Sequence, residues 1–423
     1  MEKLILIYTI YIISCGLMAS NLLAVEDKPL SLKELLTTAA VKNPKIKASE
    51  QEVLAYSFRI KPAQTLPDPM IEIGIKHMGL SEWMIGKDPS SGIMFSLSQM
   101  FPLYGKLHLA GDIARQAHEG RLHALEATKL DIFKQVKMAY FDLYYAYQAV
   151  NITEKQKELM QKVLVLTETR YAVGSGIQSD IFKTQLEISR MDEMIIPMKE
   201  MIKMKEATIN LLLNYPADHP LDKPEAIACE TIPVSLAQLQ ETLLKQSPRL
   251  KEAEAMAAER SLMVTMARKE FKPDVTVNAT YEYKGKLPAM VQLMLGVTIP
   301  LFAGRKQFPR WHEAQALAES AKQETSFMTN DMQMVLNDNF LRAKTSANLI
   351  QLYKTRIIPP ARLALESSFS AYPVNKTDFM ALLSDISTQF SAELAYQREL
   401  VQLWNALAVI ESITASPLLP IKE

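Results

Sequence analysis

Asp274-Val275-Thr276-Val277-Asn278-Ala279-Thr280-Tyr281-Glu282-Tyr283 sets Asp274, Thr276, Asn278, Thr280 and Glu282 against Val275, Val277, Ala279, Tyr281 and Tyr283. A period of two is that of a β-strand, whose successive side chains point to opposite faces. Lys284 to Pro288 reads as a turn, beyond which Val291, Leu293, Leu295, Val297 and Ile299 alternate with Gln292, Gly296 and Thr298. Earlier in the chain Ile71, Ile73 and Ile75 alternate with Glu72, Gly74 and Lys76, and Ile93, Phe95 and Leu97 alternate with Ser96 and Ser98. Strands are expected at about 69–78, 92–101, 273–284 and 289–301. Each runs roughly ten residues, the length a tilted strand needs to cross a bilayer. Four strands are too few to close a barrel, so their open edges call for other copies of the chain. The competing reading is a pair of amphipathic hairpins in a soluble sheet. Helical flanks and an export signal weigh against it, as do Trp83, Phe95, Phe101, Tyr281 and Tyr283, which lie near strand ends or loops where interfacial aromatic girdles sit.

The hairpins belong to a sequence written twice. Ser31-Leu32, Asn43-Pro44 and Asp68-Pro69 recur as Ser235-Leu236, Ser247-Pro248 and Lys272-Pro273, each 204 residues on (248 − 44). Phe101-Pro102-Leu103-Tyr104-Gly105-Lys106 returns as Ile299-Pro300-Leu301-Phe302-Ala303-Gly304-Arg305, with the proline offset reduced to 198 (300 − 102). Asp180-Ile181 matches Asp378-Phe379, again at 198. Register held across several landmarks indicates tandem duplication, with repeats at 30–215 and 234–413, a Pro-rich connector at 216–233 and a tail at 414–423. Length alone would suggest two or three domains; the duplication makes the halves one object.

Lys+Arg and Asp+Glu are equal at 47 each, which removes the basic field that nucleic-acid binding requires. The two cysteines, Cys15 and Cys229, form no Cys-x-x-Cys pair, so zinc ribbons and dithiol redox chemistry are unsupported. Residues 1–24 have the make-up of an export signal: Lys3, an apolar run from Leu4 to Ile13, then small residues. Two processing sites compete, an ordinary cleavage after Ala24 and a lipobox at Ile12-Ile13-Ser14-Cys15, which would end the signal at residue 14 and acylate Cys15. A retained anchor is disfavoured because the apolar run is short and interrupted.

The rest reads as long helices. Gly105 to about Thr169 contains no proline, and a helix of about 60 residues would be on the order of 90 Å long, too long to pack without neighbouring rods. Ile181, Ile188, Ile195, Ile202 and Ile209 repeat at sevens, with Thr184, Met191, Met198, Lys205 and Leu212 three positions on, which is a coiled-coil seam with a bend expected at Pro197. Gly174-Ser175-Gly176 reads as a tight reversal, with Tyr372-Pro373 at the corresponding place in the second repeat, and Pro359-Pro360 should bend or start a helix.

The helix ending near Asp68-Pro69, the strand pair, the return Ser98 to Lys106 into a long helix, and Arg170-Tyr171-Ala172-Val173-Gly174 at the reversal together resemble the TolC-type outer-membrane efflux proteins. The resemblance spans about 30–413, and the wording at Pro67-Asp68-Pro69 and Gln99 to Lys106 is more similar to members that accompany heavy-metal efflux pumps. It implies an α+β membrane protein and a homotrimer. Three chains of four strands each would form a twelve-stranded outer-membrane β-barrel, continued by a long periplasmic α-helical barrel. Its narrow end would meet a periplasmic adaptor protein and an inner-membrane pump, one candidate being the proton-driven resistance-nodulation-division type. The chain would then be a passive exit duct without cofactor, for metal ions, organic compounds or, in type I secretion, proteins.

Matching the family residue by residue places gate carboxylates at Asp180 and Asp378. Arg170, Tyr171, Gly174, Ser179, Tyr372 and Pro373 become candidates for the tip that an adaptor touches. Three departures stand out: Ala381 replaces a second acid, Val374 replaces a basic lock, and Tyr372-Pro373 replaces the turn glycine. The plain alternative for both aspartates is helix capping, and Asp385 reads as a solvated or lumen-facing charge. No nucleotide-binding glycine run and no nucleophile–base arrangement occurs, so no enzyme is indicated. Met191, Met194, Met198, Met201 and Met204 form a stripe whose thioethers could take soft cations. Packing is preferred because the stripe overlaps the heptad seam, and no metal site is assigned.

Overall fold

The computed structural model describes residues 29–77, 84–232 and 234–420, so the export signal, Cys15, Trp83 and Pro233 lie outside the described residues. The first repeat runs α1 (Leu32–Lys42), α2 (Pro44–Gln64), β1 (Met70–Lys76), β2 (Gly92–Phe101), α3 (Lys106–Ala172) and α4 (Gln178–Leu212). The second runs α5 (Leu236–Gln246), α6 (Pro248–Lys269), β3 (Asp274–Tyr283), β4 (Met290–Thr298), α7 (Gln307–Leu352), a π turn (Tyr353–Ile357), α8 (Ile358–Ala371) and α9 (Phe379–Thr414).

Local chemistry sets these boundaries. Asn43 caps α2, its Oδ1 accepting from Lys45 N at 2.9 Å and Ile46 N at 3.3 Å, while Pro44 fills the first helical position. Ser247-Pro248 occupies the same cap and first position of α6. Pro359 and Pro360 open α8 just after the π turn, where two missing N–H donors interrupt the helical ladder. β4 ends at Thr298, short of the expected 301, because Pro300 cannot donate to a ladder.

The sheet order is β1-β2-β3-β4, antiparallel throughout. Register aligns Ile73, Phe95, Tyr281 and Val291 in one row and Ile71, Leu97, Ala279 and Leu293 in the next. Side chains of these rows share one face, which is open: Ile73 is 70% exposed, Val291 79% and Leu293 70%. The opposite face carries Ser96, Ser98, Asn278, Thr280, Glu282 and Gln292 together with Met94, Met290 and Met294, with Ser96 Oγ and Thr280 Oγ1 2.8 Å apart and Glu282 buried. A soluble sheet puts its apolar side on a core; this one shows it outward. β1 and β4 are left as free edges.

α3, with 67 residues, is on the order of 100 Å long. Near the sheet α2, α3, α6 and α7 lie side by side; toward the far end α4, α3, α9 and α8 do. The heptad seam of α4 faces inward: Thr184, Met191, Ile195, Ile209 and Leu212 are buried. Lys205 of the seam reaches Asp142 of α3 at 2.7 Å, and Tyr147 donates to Glu206 at 2.9 Å, which fixes how the two rods slide past each other. The methionine stripe divides: Met191 is buried in the seam, whereas Met194, Met201 and Met204 are exposed.

Where the repeats meet, Trp404 of α9 packs its ring on Phe141 and Tyr144 of α3 with centroids 5.5 and 5.3 Å away, and its Nε1 donates to Cys229 O at 2.8 Å. The 216–232 connector is tied down here, with Tyr140 Oη donating to Leu30 O and Glu225 O at 3.0 Å and accepting from Glu225 N at 2.8 Å. Buried Glu411 is paired with Lys137 and accepts from the backbone N–H groups of Leu418 and Leu419, so the C-terminal residues fold back onto the core.

Candidate gate at the helical tip

Both long hairpins reverse at the end farthest from the sheet, and both use the same turn. In the first, Gly174 N donates to Tyr171 O and Ser175 N to Arg170 O, with Gly174 at φ +74°. In the second, Asn375 N donates to Tyr372 O and Lys376 N to Ala371 O, with Asn375 at φ +59°. The left-handed position is therefore filled by Asn375, correcting the expectation that Tyr372-Pro373 takes the place of the turn glycine. Asparagine is among the few residues that tolerate this conformation, and that preference was the available sequence signal.

Tyr372 instead ends α8 and points inward, 1% exposed, against Phe379. The Arg170 guanidinium, from the last turn of α3, lies 4.1 Å over its ring. Arg170 also donates to Ser175 O at 3.1 Å and to the Asn375 side-chain oxygen. The Tyr372 hydroxyl donates to Asp180 Oδ2 at 3.4 Å, a long contact for this type of bond. Burial is the main force pushing the Tyr372 hydroxyl's pKa up, with the Asp180 charge second, so the phenol stays neutral and remains a donor. Four residues thus join the two hairpins: Arg170, Asp180, Tyr372 and Asn375.

Asp180 sits in the first turn of α4, where a carboxylate is favoured by the helix dipole, and its backbone oxygen accepts from Thr184 Oγ1 at 2.7 Å. Asp378 is exposed and caps α9, accepting from Ala381 N at 2.7 Å. Asp385, expected to be a solvated or lumen-facing charge, is half-buried and accepts from Ser368 of α8. Tyr171, Gly174, Ser179 and Pro373 are exposed on the outer surface of the reversals, as is Val374. The cation that meets Tyr372 is therefore Arg170 of the first repeat, not a residue at position 374. Among the described residues no group of three or more His, Cys, Asp or Glu side chains is placed to hold a metal ion.

Residues 35–214 match the family model described as outer membrane efflux protein. The cobalt-zinc-cadmium resistance protein CzcC of Cupriavidus metallidurans is 21% identical over 393 residues, covering 91% of this chain and 90% of the relative. Among solved structures, the outer membrane protein VceC of Vibrio cholerae superposes with a TM-score of 0.78 at 14% identity, covering 92% of this chain and 96% of that one. CusC, described by its transmembrane channel formation, gives 0.78 at 14% identity over 91% of this chain and 92% of its own. At such identities the structural likeness is one of fold.

Proposed function

We propose that this chain, whose residues 35–214 match the outer membrane efflux protein family model, belongs to that family and is the outer-membrane exit duct of a tripartite efflux system. The observation that carries this reading is a sheet whose apolar face is exposed, with hydroxyls and Glu282 on its other face and two free edges, at the end of a helical rod on the order of 100 Å long. Water-filled barrels of the outer membrane have this polarity, and closed barrels alone remove sheet edges in lipid. Three copies, giving twelve strands, form the barrel in the membrane, and the helices continue it as a periplasmic tube.

Transport through such a duct is passive. Energy comes from an inner-membrane pump, for which we propose the proton-driven resistance-nodulation-division type, joined through a periplasmic adaptor that meets the tips. Metal cations are the proposed cargo, supported by the likeness to a cobalt-zinc-cadmium resistance protein over 91% of this chain. The Arg170–Tyr372–Asp180 clasp is the proposed closure: it holds the two hairpins of one protomer together, and opening requires it to part. Deleting the gene in its host should raise sensitivity to the cation exported, and complementation should restore resistance. Unchanged tolerance to metals combined with new sensitivity to organic compounds would reassign the cargo while leaving the duct.

A further inference from the structure

At the end of the sheet away from the helices, the two hairpin loops of one chain are fastened to each other, and the fastening lies on the face that carries Ser96, Thr280 and Glu282. Glu282 and Lys284 follow one another at a spacing of two on that face and are both buried, 8% and 6% exposed. Lys76, the last residue of β1, reaches past β2 to Glu282 Oε1 at 3.7 Å, and Lys284 Nζ lies 3.7 Å from Glu282 Oε2. β2 leaves room for this crossing at Gly92, where a Cβ would stand 2.9 Å from Glu282 Cγ. Any larger residue there would push the carboxylate aside.

Lys284 Nζ also donates to Pro89 O at 2.6 Å and touches Met290 Sδ at 2.9 Å. Pro89 belongs to the segment 84–91 of the β1–β2 loop, which is a compact turn in its own right. The N–H groups of Lys87 and Asp88 donate to Met84 O at 3.0 Å, and Asp88 Oδ1 accepts from Ser90 N at 2.8 Å and Ser90 Oγ at 2.7 Å. Ser91 Oγ donates to His77 O at 2.6 Å, which ties the turn to the end of β1. The turn rests on the β3–β4 loop through two glycines in the left-handed region, Gly86 at φ +84° and Gly285 at φ +64°. A Cβ on Gly285 would lie 3.2 Å from Gly86 Cα, so the two loops meet backbone to backbone.

We infer that residues 84–91 form a strap across the outer mouth of the duct, latched by Lys284, which limits the size of solute that passes there. The inference rests on the duct reading above, in which the face bearing Glu282 lines the lumen. One strap from each chain then narrows the exit, at the end opposite the helical tip. The latch turns on a single ammonium. Glu282 Oε1 is buried without a hydrogen-bond partner, and both ion pairs of this carboxylate are longer than a hydrogen bond, so Glu282 holds Lys284 in place by charge. The directional bond of the ammonium is spent on Pro89 O, the strap's own backbone.

The test is the size of reagent that enters from outside intact cells making the full-length protein. Met100, 39% exposed on the same face near the helices, is replaced by cysteine as a reporter, with protein lacking the reporter as the blank. A small charged methanethiosulfonate and a graded series of polyethylene-glycol maleimides are added outside. Lys284→Ala and, separately, Glu282→Gln should let reagents just above the wild-type size limit label about tenfold faster, the scale of one lost charge-assisted hydrogen bond. Lys284→Arg keeps a donor and a charge and should retain the wild-type limit. Equal labelling by the methanethiosulfonate in all variants shows an intact barrel, and Glu282→Gln, which preserves shape, carries the test where Lys284→Ala fails to assemble. The same size limit in wild type, Lys284→Ala and Glu282→Gln would overturn the strap. A second reporter, Leu295→Cys on the exposed apolar face, separates that outcome from failure of the duct reading. Leu295→Cys should stay unlabelled in lipid, and labelling as fast as at Met100→Cys would place the sheet in water and overturn both.

Discussion

The hydroxyl of Tyr372, in the second repeat, donates to the carboxylate of Asp180, in the first, across 3.4 Å. Arg170 covers the same ring at 4.1 Å, so one buried phenol is held by both faces of its chemistry, the ring by a cation and the hydroxyl by an anion. In the closure proposed above, opening the tip separates these groups, which come from different hairpins.

Tyr372→Phe keeps the ring under Arg170 and removes only a long hydrogen bond, a loss of at most about 1 kcal/mol, or roughly fivefold in a closed-to-open equilibrium. Arg170→Ala removes the hydrogen bond to Asn375 and the cation–π contact with Tyr372, both of which cross between the hairpins, about 2 kcal/mol and roughly thirtyfold. Resting conductance in planar bilayers should rise in that order. Equal, unchanged leak in both variants would show that the clasp does not hold the closed state.

At Asp378 the capping and charge roles can be separated by substitution. Asp378→Asn keeps a side-chain acceptor at the cap of α9, whereas Asp378→Ala removes it and should cost about 1 kcal/mol of helix stability. A ring of carboxylates attracts cations and resists anions, so Asp180→Asn with Asp378→Asn should lower cation preference in reversal-potential measurements without lowering the unfolding midpoint. Unchanged selectivity would leave Asp378 with capping alone.

Burial pushes the Tyr140 hydroxyl's pKa up to about 12 from the usual 10. Its folded-state value is raised, so its contribution is fully present below pH ~10 and is lost as pH rises toward about 12. Denaturant titrations of wild type should lose stability across that window faster than those of Tyr140→Phe. Tyr144 and Tyr396 are also raised by burial, so the difference between the two proteins is the quantity to follow. Parallel losses would show that Tyr140 is not among the groups responsible.

Periodicity made much of the fold readable, because it reports which side of an element meets water or a neighbour. The alternation in Asp274–Tyr283 and the sevens from Ile181 to Ile209 lie in β3, which buries Thr280 and Glu282 and exposes Tyr281 and Tyr283, and in α4, which buries its apolar seam. Single residues with strong backbone constraints were readable too: Gly174 occupies a left-handed turn, and Pro359-Pro360 opens a helix. Periodicity does not name the partner. Arg170 and Tyr372 are 202 residues apart and meet only because both hairpins end at the same level. Lys106 and Asp274 meet because β2 and β3 are neighbours in the sheet. The methionine stripe mixed a buried seam with an exposed flank, since a thioether is at home in either setting.

The central claim is that the sheet stands in lipid with its polar face on water. A nitroxide scan along Met290–Thr298 in reconstituted proteoliposomes measures this directly, by collision with oxygen in lipid and with a water-soluble nickel chelate. Oxygen contact should peak at positions 291, 293, 295 and 297 and nickel contact at 290, 292, 294 and 296, a period of two along β4. Uniform access to the nickel chelate, with no alternation, would place the sheet in water and contradict an outer-membrane duct.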